Sequence, residues 1–220
     1  MGLLDSILGR SRPVRPDLDR LFGLPAAALT LQAGTGFVPT GAGSVCFAAV
    51  EGGAFARLKE EVRELLDAAG AAGPPGATGG TAPVTYTPDA YGYTWLTVRR
   101  PAEDLITLVN DLHAVNSLLE EAGFGPNLLC SLTAFRAPGA GEHRARDLAL
   151  VYLYKRGTFY PFAPRPDRAE TRDNALELQV RALLAGDLAL EPDMERWFPV
   201  WGAPGLGGAG PDGADRPPGP

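Results

Sequence analysis

The sequence predicts an α+β fold, with a mainly antiparallel sheet flanked by helices in a single domain. Segments with the helical spacing of apolar residues alternate with shorter apolar segments that are typical of strands. The last three predicted strands follow one another with only polar connections between them, which favours antiparallel neighbours. Of the 220 residues, 45% are hydrophobic and 21% are charged, as expected for a domain with its own core. We expect roughly five or six strands and four longer helices.

The first half of the chain predicts helices around one buried strand. Asp17 can cap a short helix, Pro25 can open a second helix, and Gly34 can end it. The apolar residues 44–50 are typical of a buried strand. A long amphipathic helix follows at 54–70, because its apolar residues recur with helical spacing opposite a charged face. The apolar stripe consists of Phe55, Leu58, Val62, Leu65, Leu66 and Ala69.

The second half predicts a helix between strands and a helix near the end. A strand within 84–100 carries Tyr91, Tyr93 and Trp95, and Pro101 lies near the start of a helix at 103–122. Three further strands are predicted at 127–136, 147–154 and 158–162, the last two joined as a hairpin, and a last helix at 172–186. An aromatic segment at 195–204 is predicted to pack on the domain as a clasp.

The segment at 150–164 contains five aromatic residues, and its alternation predicts a hairpin. Tyr152 and Tyr154 point to one face and Val151 to the other, before a turn at 155–157. Pro161 cannot donate to a ladder, so the second strand should lie at an edge of the sheet or end early.

The two ends and one internal loop define the domain boundaries. Residues 1–16 are expected to form an amphipathic segment with a basic linker, residues 17–204 the domain, and residues 205–220 a disordered tail. Residues 71–83 consist wholly of Gly, Pro, Ala and Thr, which predicts a flexible loop inside the domain.

The N-terminal segment is the first candidate for a contact with a membrane or a partner. Its apolar residues lie on one helical face and are followed by three arginines, so it can bind an anionic membrane surface, a partner helix or its own domain. The residues concerned are Leu3, Leu4, Ile7, Leu8, Arg10, Arg12 and Arg15.

Composition argues against several classes of function. The net charge of −6 and the pI of about 5.0 give no general attraction for nucleic acid. Cys46 and Cys130 lie far apart in apolar runs, so we interpret them as buried thiols. With only two histidines, one of them His143, the sequence offers no multi-histidine metal site and indicates no cofactor.

No apolar run is long enough to span a bilayer, so we expect a cytoplasmic protein. The ratio of 18 Arg to 2 Lys indicates a GC-rich bacterial genome.

The remaining polar residues suggest one candidate ligand pocket. On the 103–122 helix, Asn116 lies at the centre of the apolar stripe and His113 at its margin, so both should face the core. Either they converge with Cys130 and Trp95 on a ligand pocket, or they bond to backbone and strand side chains and fix the helix on the sheet. Because no familiar nucleophile, base or metal motif is present, we predict a non-enzymatic protein.

The order of these elements, together with several strings, resembles the PspA-associated protein PspAB family. The strings include "MGLLDSILGRSRPVRPDLDRLFGLPAAALTL", "YGYTWLTVRRP", "DLHAVNSLLEEAGFGPNLLCSL", "LALVYLYKRGTFYPFAP", "RDNALELQVRALLAGDL" and "RWFPVWGAPGL". The resemblance covers residues 1 to 206 apart from the 71–83 loop, and it carries over no catalytic residues.

This resemblance implies an accessory protein of the phage-shock envelope-stress response. The implied partner is PspA, a coiled-coil scaffold that remodels membranes, with a further link to a membrane metalloprotease and a location at the inner face of the cell membrane. A fainter likeness of architecture to YbjN and type III secretion chaperone folds also favours protein binding. The alternatives are an enzyme or ligand sensor that uses the pocket, and a chaperone-like dimer.

Overall fold

A computed structural model of the chain describes residues 16–48, 53–71, 84–89, 91–139 and 145–206. The predicted N-terminal contact residues Leu3 to Arg15, most of the 71–83 loop, His143 and residues 207–220 lie outside these ranges. The described part confirms the predicted α+β class, with one sheet and four α-helices.

The six strands of the sheet are all antiparallel to their neighbours. Their bounds are β1 Val38–Ala48, β2 Thr85–Pro88, β3 Tyr93–Arg99, β4 Leu128–Ala137, β5 Arg146–Leu153 and β6 Thr158–Phe162. Their order in the sheet is β2-β3-β1-β4-β5-β6. The long strands β1 and β4 therefore lie at the centre, where they are paired on both sides.

The four helices are α1 Leu24–Thr35, α2 Gly53–Ala71, α3 Leu105–Leu119 and α4 Asn174–Leu183. Pro25 does lie in the first turn of α1, and a short 3₁₀ helix, Leu18–Gly23, precedes it. Helix α3 begins later than predicted because the Asp104 side chain caps it, accepting a hydrogen bond from the Thr107 backbone at 3.2 Å.

The helices pack on one face of the sheet, which we call the helix face. Helix α3 lies against β1, where the absence of a side chain at Gly43 brings the strand close to Leu108 and Leu112. A Cβ atom at Gly43 would lie 3.0 Å from a methyl carbon of Leu112. The largest buried side chains of this face include Phe37, Phe47, Phe135, Tyr152 and Phe159.

The opposite face of the sheet has a separate buried cluster, which we call the aromatic face. It contains Cys46, Trp95, Cys130, Leu132, Ala149, Val151, Tyr160 and Phe162, with Trp197, Val200 and Ala203 from the C-terminal segment. Within the described ranges, this face is covered by the C-terminal residues 194–206 and by no α-helix.

The predicted hairpin is present as β5 and β6, joined by a turn at 154–157. Pro161 lies on the edge strand β6, as its missing N–H requires. The outer edge of β6 is partly occupied by the chain itself, because the Phe159 backbone exchanges hydrogen bonds of 2.8 and 2.7 Å with Ala189 and Glu191. A partner strand therefore finds less free edge here than the sequence suggested.

Candidate functional site

The four residues of the pocket predicted from the sequence lie on two sides of the sheet. His113 and Asn116 are on α3, which packs on the helix face, whereas the side chains of Cys130 and Trp95 belong to the aromatic face. The sheet itself separates the two pairs, because successive side chains of a strand point to opposite faces. The structure therefore does not bring the four side chains together.

Asn116 is fully buried, as its position on the helical stripe predicted. Its Nδ2 donates to the Leu112 carbonyl oxygen at 2.7 Å and to Ser131 Oγ on β4 at 2.8 Å. The second interpretation of Asn116 is thus confirmed, since its amide bonds to backbone and to a strand side chain. Its Oδ1 and the hydroxyl of Thr133 have no hydrogen-bond partner within the described part of the chain.

His113 does not face the core, which corrects the sequence-based interpretation of its position. Its side chain is 27% exposed, and its ring stacks on Phe22 with a centroid distance of 4.8 Å. Its Nε2 lies 3.3 Å from an oxygen of Asp19, which also belongs to the 3₁₀ helix before α1. The margin of the apolar stripe is covered by this 3₁₀ helix and not by the sheet, so the histidine remains partly in water.

Cys46 and Cys130 lie directly opposite each other on the central strands β1 and β4. Both are free thiols and both are buried, as predicted from their apolar surroundings. Their hydrogen bond and their burial raise the pKa of Cys46 far above its ordinary value. Their juxtaposition could not be found from local spacing, because residues 47–129 separate them in the sequence.

Trp95 is the neighbour of Cys46 on the other side, because β3 also pairs with β1. Its indole nitrogen donates to Asp89 at 3.0 Å, and the same carboxylate accepts from the backbones of Tyr91 and Tyr93. Asp89 thus shapes the turn before β3. Tyr91, in this turn, is 67% exposed, and Tyr93, at the start of β3, is 38% exposed.

The C-terminal aromatic clasp predicted from the sequence is present on the aromatic face. Trp197 stacks with Tyr160 at a centroid distance of 6.0 Å, and Trp201 meets Phe162 edge to face at 4.8 Å. The Tyr160 hydroxyl donates to the Phe198 carbonyl oxygen at 2.8 Å. These contacts hold residues 194–206 on the sheet.

Glu191 is the buried ionic anchor of this clasp. Its carboxylate accepts hydrogen bonds from Thr158 at 2.7 Å and from Arg156 at 3.2 Å, and its carbonyl oxygen accepts from the Trp197 indole. Burial by itself raises the pKa of Glu191, but these hydrogen bonds and one from the Asp193 backbone outweigh it, so its pKa lies below the ordinary value. Its side-chain partners lie 33 and 35 residues earlier in the chain, so no local sequence motif indicates the pairing.

A second buried carboxylate, Glu177 on α4, supports the same region. It pairs with Arg172 at 2.8 Å and accepts from the Ala163 backbone at 2.9 Å. Burial raises its pKa, although the Arg172 hydrogen bond opposes this shift. The Arg172 guanidinium also donates to the Trp197 carbonyl oxygen, so Glu177 and Arg172 tie α4 to the clasp.

An open groove of about 620 Å³ runs between α4 and the segment that follows it. Its lining is apolar except for one cation, Arg181, whose guanidinium lies 5.8 Å from the Trp197 ring centre. Leu178, on the rim of the groove, is 45% exposed. The other lining residues include Ala182, Leu188, Leu190 and Pro192. Sequence reasoning missed this groove because most of its lining comes from the irregular segment after α4.

The described residues contain no cluster of three or more metal-ligating side chains. None of the helices in the described ranges has the length and apolar character needed to cross a bilayer.

Comparison with known proteins identifies one family. A family model described as PspA associated protein B (PspAB) matches residues 1–205, which is nearly the whole chain. No curated protein and no solved structure matches the chain. The family match includes the N-terminal segment as well as the α+β domain.

Proposed function

The chain belongs to the PspA associated protein B family, and from this membership we propose that it is a non-enzymatic accessory protein of a PspA-type envelope-stress response. The observation that carries the proposal is the match over residues 1–205. The family name supports a role related to PspA, and we propose that this role is exerted by direct protein–protein association near the membrane.

The groove beside α4 is the surface that we propose for this association. An apolar groove with one cation suits a partner helix that presents apolar side chains and an acidic residue for Arg181. Leu178, exposed on the rim of the groove, would be covered by such a helix. A coiled-coil protein such as the expected PspA partner offers helices of this kind.

The N-terminal segment is the element that we propose for contact with the membrane. The spacing of its leucines and Ile7 predicts an apolar helical face, and Arg10, Arg12 and Arg15 add positive charge to a chain whose net charge is −6. Local positive charge of this kind favours anionic lipid headgroups, each arginine near the surface contributing about 1 kcal/mol. The proposed location is therefore peripheral, at the inner face of the cell membrane.

A binding experiment with purified proteins separates the two surfaces. The full chain, a chain lacking residues 1–12 and the variant Leu178→Glu are each tested against purified PspA and against vesicles that contain anionic lipid. Ile106→Glu is the matched control, because Ile106 is an exposed apolar residue on α3, away from the groove. We expect Leu178→Glu to weaken PspA binding about tenfold or more, and the deletion to abolish vesicle binding only.

The proposal fails if the full chain binds no PspA in solution or on vesicles. If Leu178→Glu and Ile106→Glu weaken PspA binding equally, the groove is not the contact surface. If the deletion removes PspA binding while vesicle binding persists, the N-terminal segment is the protein contact and the membrane assignment is wrong.

A further inference from the structure

The geometry points to Cys46 and Cys130 as a reversible dithiol–disulfide pair, which makes the aromatic face a thiol-redox site. The two cysteines are register partners on adjacent antiparallel strands, so their side chains point to the same side of the sheet. Neither the family description nor the association proposed above includes such a site, and the inference rests on the strand register and the burial of the thiols.

The backbone separation of the two cysteines suits a disulfide. Directly opposed residues of an antiparallel pair have Cα atoms about 4.5 to 5.5 Å apart. A disulfide requires a Cα separation of about 4.4 to 6.8 Å. The register between β1 and β4 shifts between Cys46 and Phe47, which marks a β-bulge. A bulge disrupts the ladder locally, so the regular pairing of β1 with β4 is interrupted next to the cysteine pair.

Access to the thiols depends on the C-terminal clasp. Cys46 and Cys130 are 3% and 7% exposed, and they share their cluster with Trp197, Val200 and Ala203. In the described part of the molecule, no α-helix lies over this face. Release of residues 194–206 therefore uncovers the pair without separating β1 from β4, and Cys130, the more exposed of the two, is reached first.

Closure proceeds by two thiol–disulfide exchanges with a low-molecular-weight disulfide. The Cys130 thiolate attacks one sulfur of that disulfide, forms a mixed disulfide and releases one small thiolate. The Cys46 thiolate then attacks the Cys130 sulfur and releases the second small thiolate. The two small thiolates take up the two protons lost by the cysteines, which are oxidised by two electrons while the small disulfide is reduced by two.

The raised pKa of Cys46 agrees with a pair that is inert while the clasp is closed. Its hydrogen bond with Cys130 and its burial hold Cys46 as the neutral thiol, whereas exchange requires a thiolate. Opening of the clasp would expose the thiols to water and permit ionisation. In a reducing compartment the pair stays as two thiols, and a rise in small-molecule disulfide closes it.

The test uses the full chain, folded and without denaturant, incubated with oxidised glutathione at mildly alkaline pH. The protein is then unfolded and alkylated, and its intact mass and a non-reducing peptide map are measured. We expect a monomer that accepts no alkyl group, with the peptides of Cys46 and Cys130 joined. Dithiothreitol should restore two alkylation sites. Tryptophan fluorescence should fall on closure, because Trp95 is the register partner of Cys46 and disulfides quench nearby indoles.

The controls are the unfolded wild-type chain and the variants Cys46→Ala and Cys130→Ala. In a glutathione redox buffer, the folded chain should close with an equilibrium constant at least about tenfold larger than that of the unfolded chain. Neither variant should give joined peptides, and Cys46→Ala should stop at a mixed disulfide of Cys130 with glutathione, which dithiothreitol returns to one alkylation site.

Three results would overturn the inference. The folded chain could retain two alkylatable thiols in a buffer that closes the unfolded chain. It could also stop at mixed disulfides with glutathione, or form disulfide-linked dimers instead of the intramolecular bond.

Discussion

The guanidinium of Arg100 holds the carboxylate of Asp111 through two hydrogen bonds, with Nε–Oδ2 and Nη2–Oδ1 distances of 2.6 and 3.1 Å. The side chains are 8% and 3% exposed, so the ion pair is almost wholly withdrawn from water. Arg100 directly follows β3 and Asp111 lies on α3, and the pair joins the end of a strand to the helix that packs on it. In such a pair each charge depends on the other for its hydrogen bonds.

Asp111→Asn should destabilise the fold by about 3 kcal/mol, because it leaves the buried guanidinium without its counter-charge. The double variant Arg100→Met, Asp111→Leu should lose much less, since neither charge remains buried. Urea unfolding gives both values. The exposed pair of Glu60 and Arg63 is the control, and Glu60→Gln should cost about 0.5 kcal/mol or less. If the double variant is as unstable as Asp111→Asn, the loss comes from packing and not from the unpaired charge.

Gly41→Ala should cost about 3 kcal/mol or more, whereas Gly36→Ala should cost about 1 kcal/mol. Both glycines have a φ of 75°, where an added Cβ atom is disfavoured. At Gly41 that atom would also overlap the Arg100 carbonyl oxygen, whereas at Gly36 nothing lies within 4 Å. Thermal unfolding of the two variants measures the difference. Equal losses would mean that the strand near Arg100 moves aside without cost.

The fold class was predictable because periodicity reports burial, and burial here follows the two faces of one sheet. Leu58, Val62 and Leu66 recur with helical spacing and are all buried in α2. The alternation of Val151 and Tyr152 placed these two residues on opposite faces correctly, as their separate clusters show. Pro161 was predicted at a sheet edge, where it is found, because a residue without an N–H cannot pair on both sides.

The candidate site was less predictable because its contacts join residues that are far apart in the chain. Helical geometry identified Asn116 as buried, but it could not show that the 3₁₀ helix at Leu18–Gly23 covers the side of α3 that carries His113. The pairing of Cys46 with Cys130 depends on which strands are neighbours, and the sequence alone left the strand order open. The contacts of Glu191 arise in the same way.

Asn116→Ala and Ser131→Ala should each reduce stability, and a double-mutant cycle should give a coupling of about 1 kcal/mol. The reason is the 2.8 Å hydrogen bond from Asn116 to Ser131, buried between α3 and β4. Unfolding free energies of the two single variants, the double variant and the wild type supply the cycle. Asn116→Ala with Thr171→Ala serves as the control and should be additive, because the Thr171 hydroxyl bonds to the Ala169 carbonyl oxygen and shares no hydrogen-bond partner with Asn116. A coupling near zero would show that the amide acts through Leu112 alone.

Glu191→Gln should destabilise the protein by about 2 kcal/mol at neutral pH, and this difference should shrink in acid. The pKa of Glu191 is lower in the folded chain than the value of about 4.3 expected in the unfolded chain. Its carboxylate therefore contributes stability above about pH 4.3, and this contribution is lost as the pH falls through the folded pKa. Urea unfolding of both proteins across the acid range tests the sign. Glu121→Gln, at an exposed position, should show no such trend, and a difference that grows in acid would contradict the assignment.

Tyr160→Phe should make the thiols of Cys46 and Cys130 react about fivefold faster with an alkylating reagent in the folded protein. The substitution keeps the ring that packs on Trp197 but removes the hydroxyl that donates to the Phe198 carbonyl oxygen at 2.8 Å. The lost hydrogen bond lowers the free energy needed to lift residues 194–206 from the aromatic face by about 1 kcal/mol. Alkylation is followed by intact mass well below the unfolding transition. Tyr91→Phe removes a hydroxyl from an exposed tyrosine outside the clasp and should leave the rate unchanged. If both variants react at the wild-type rate, the reagent reaches the cysteines by a route other than the clasp.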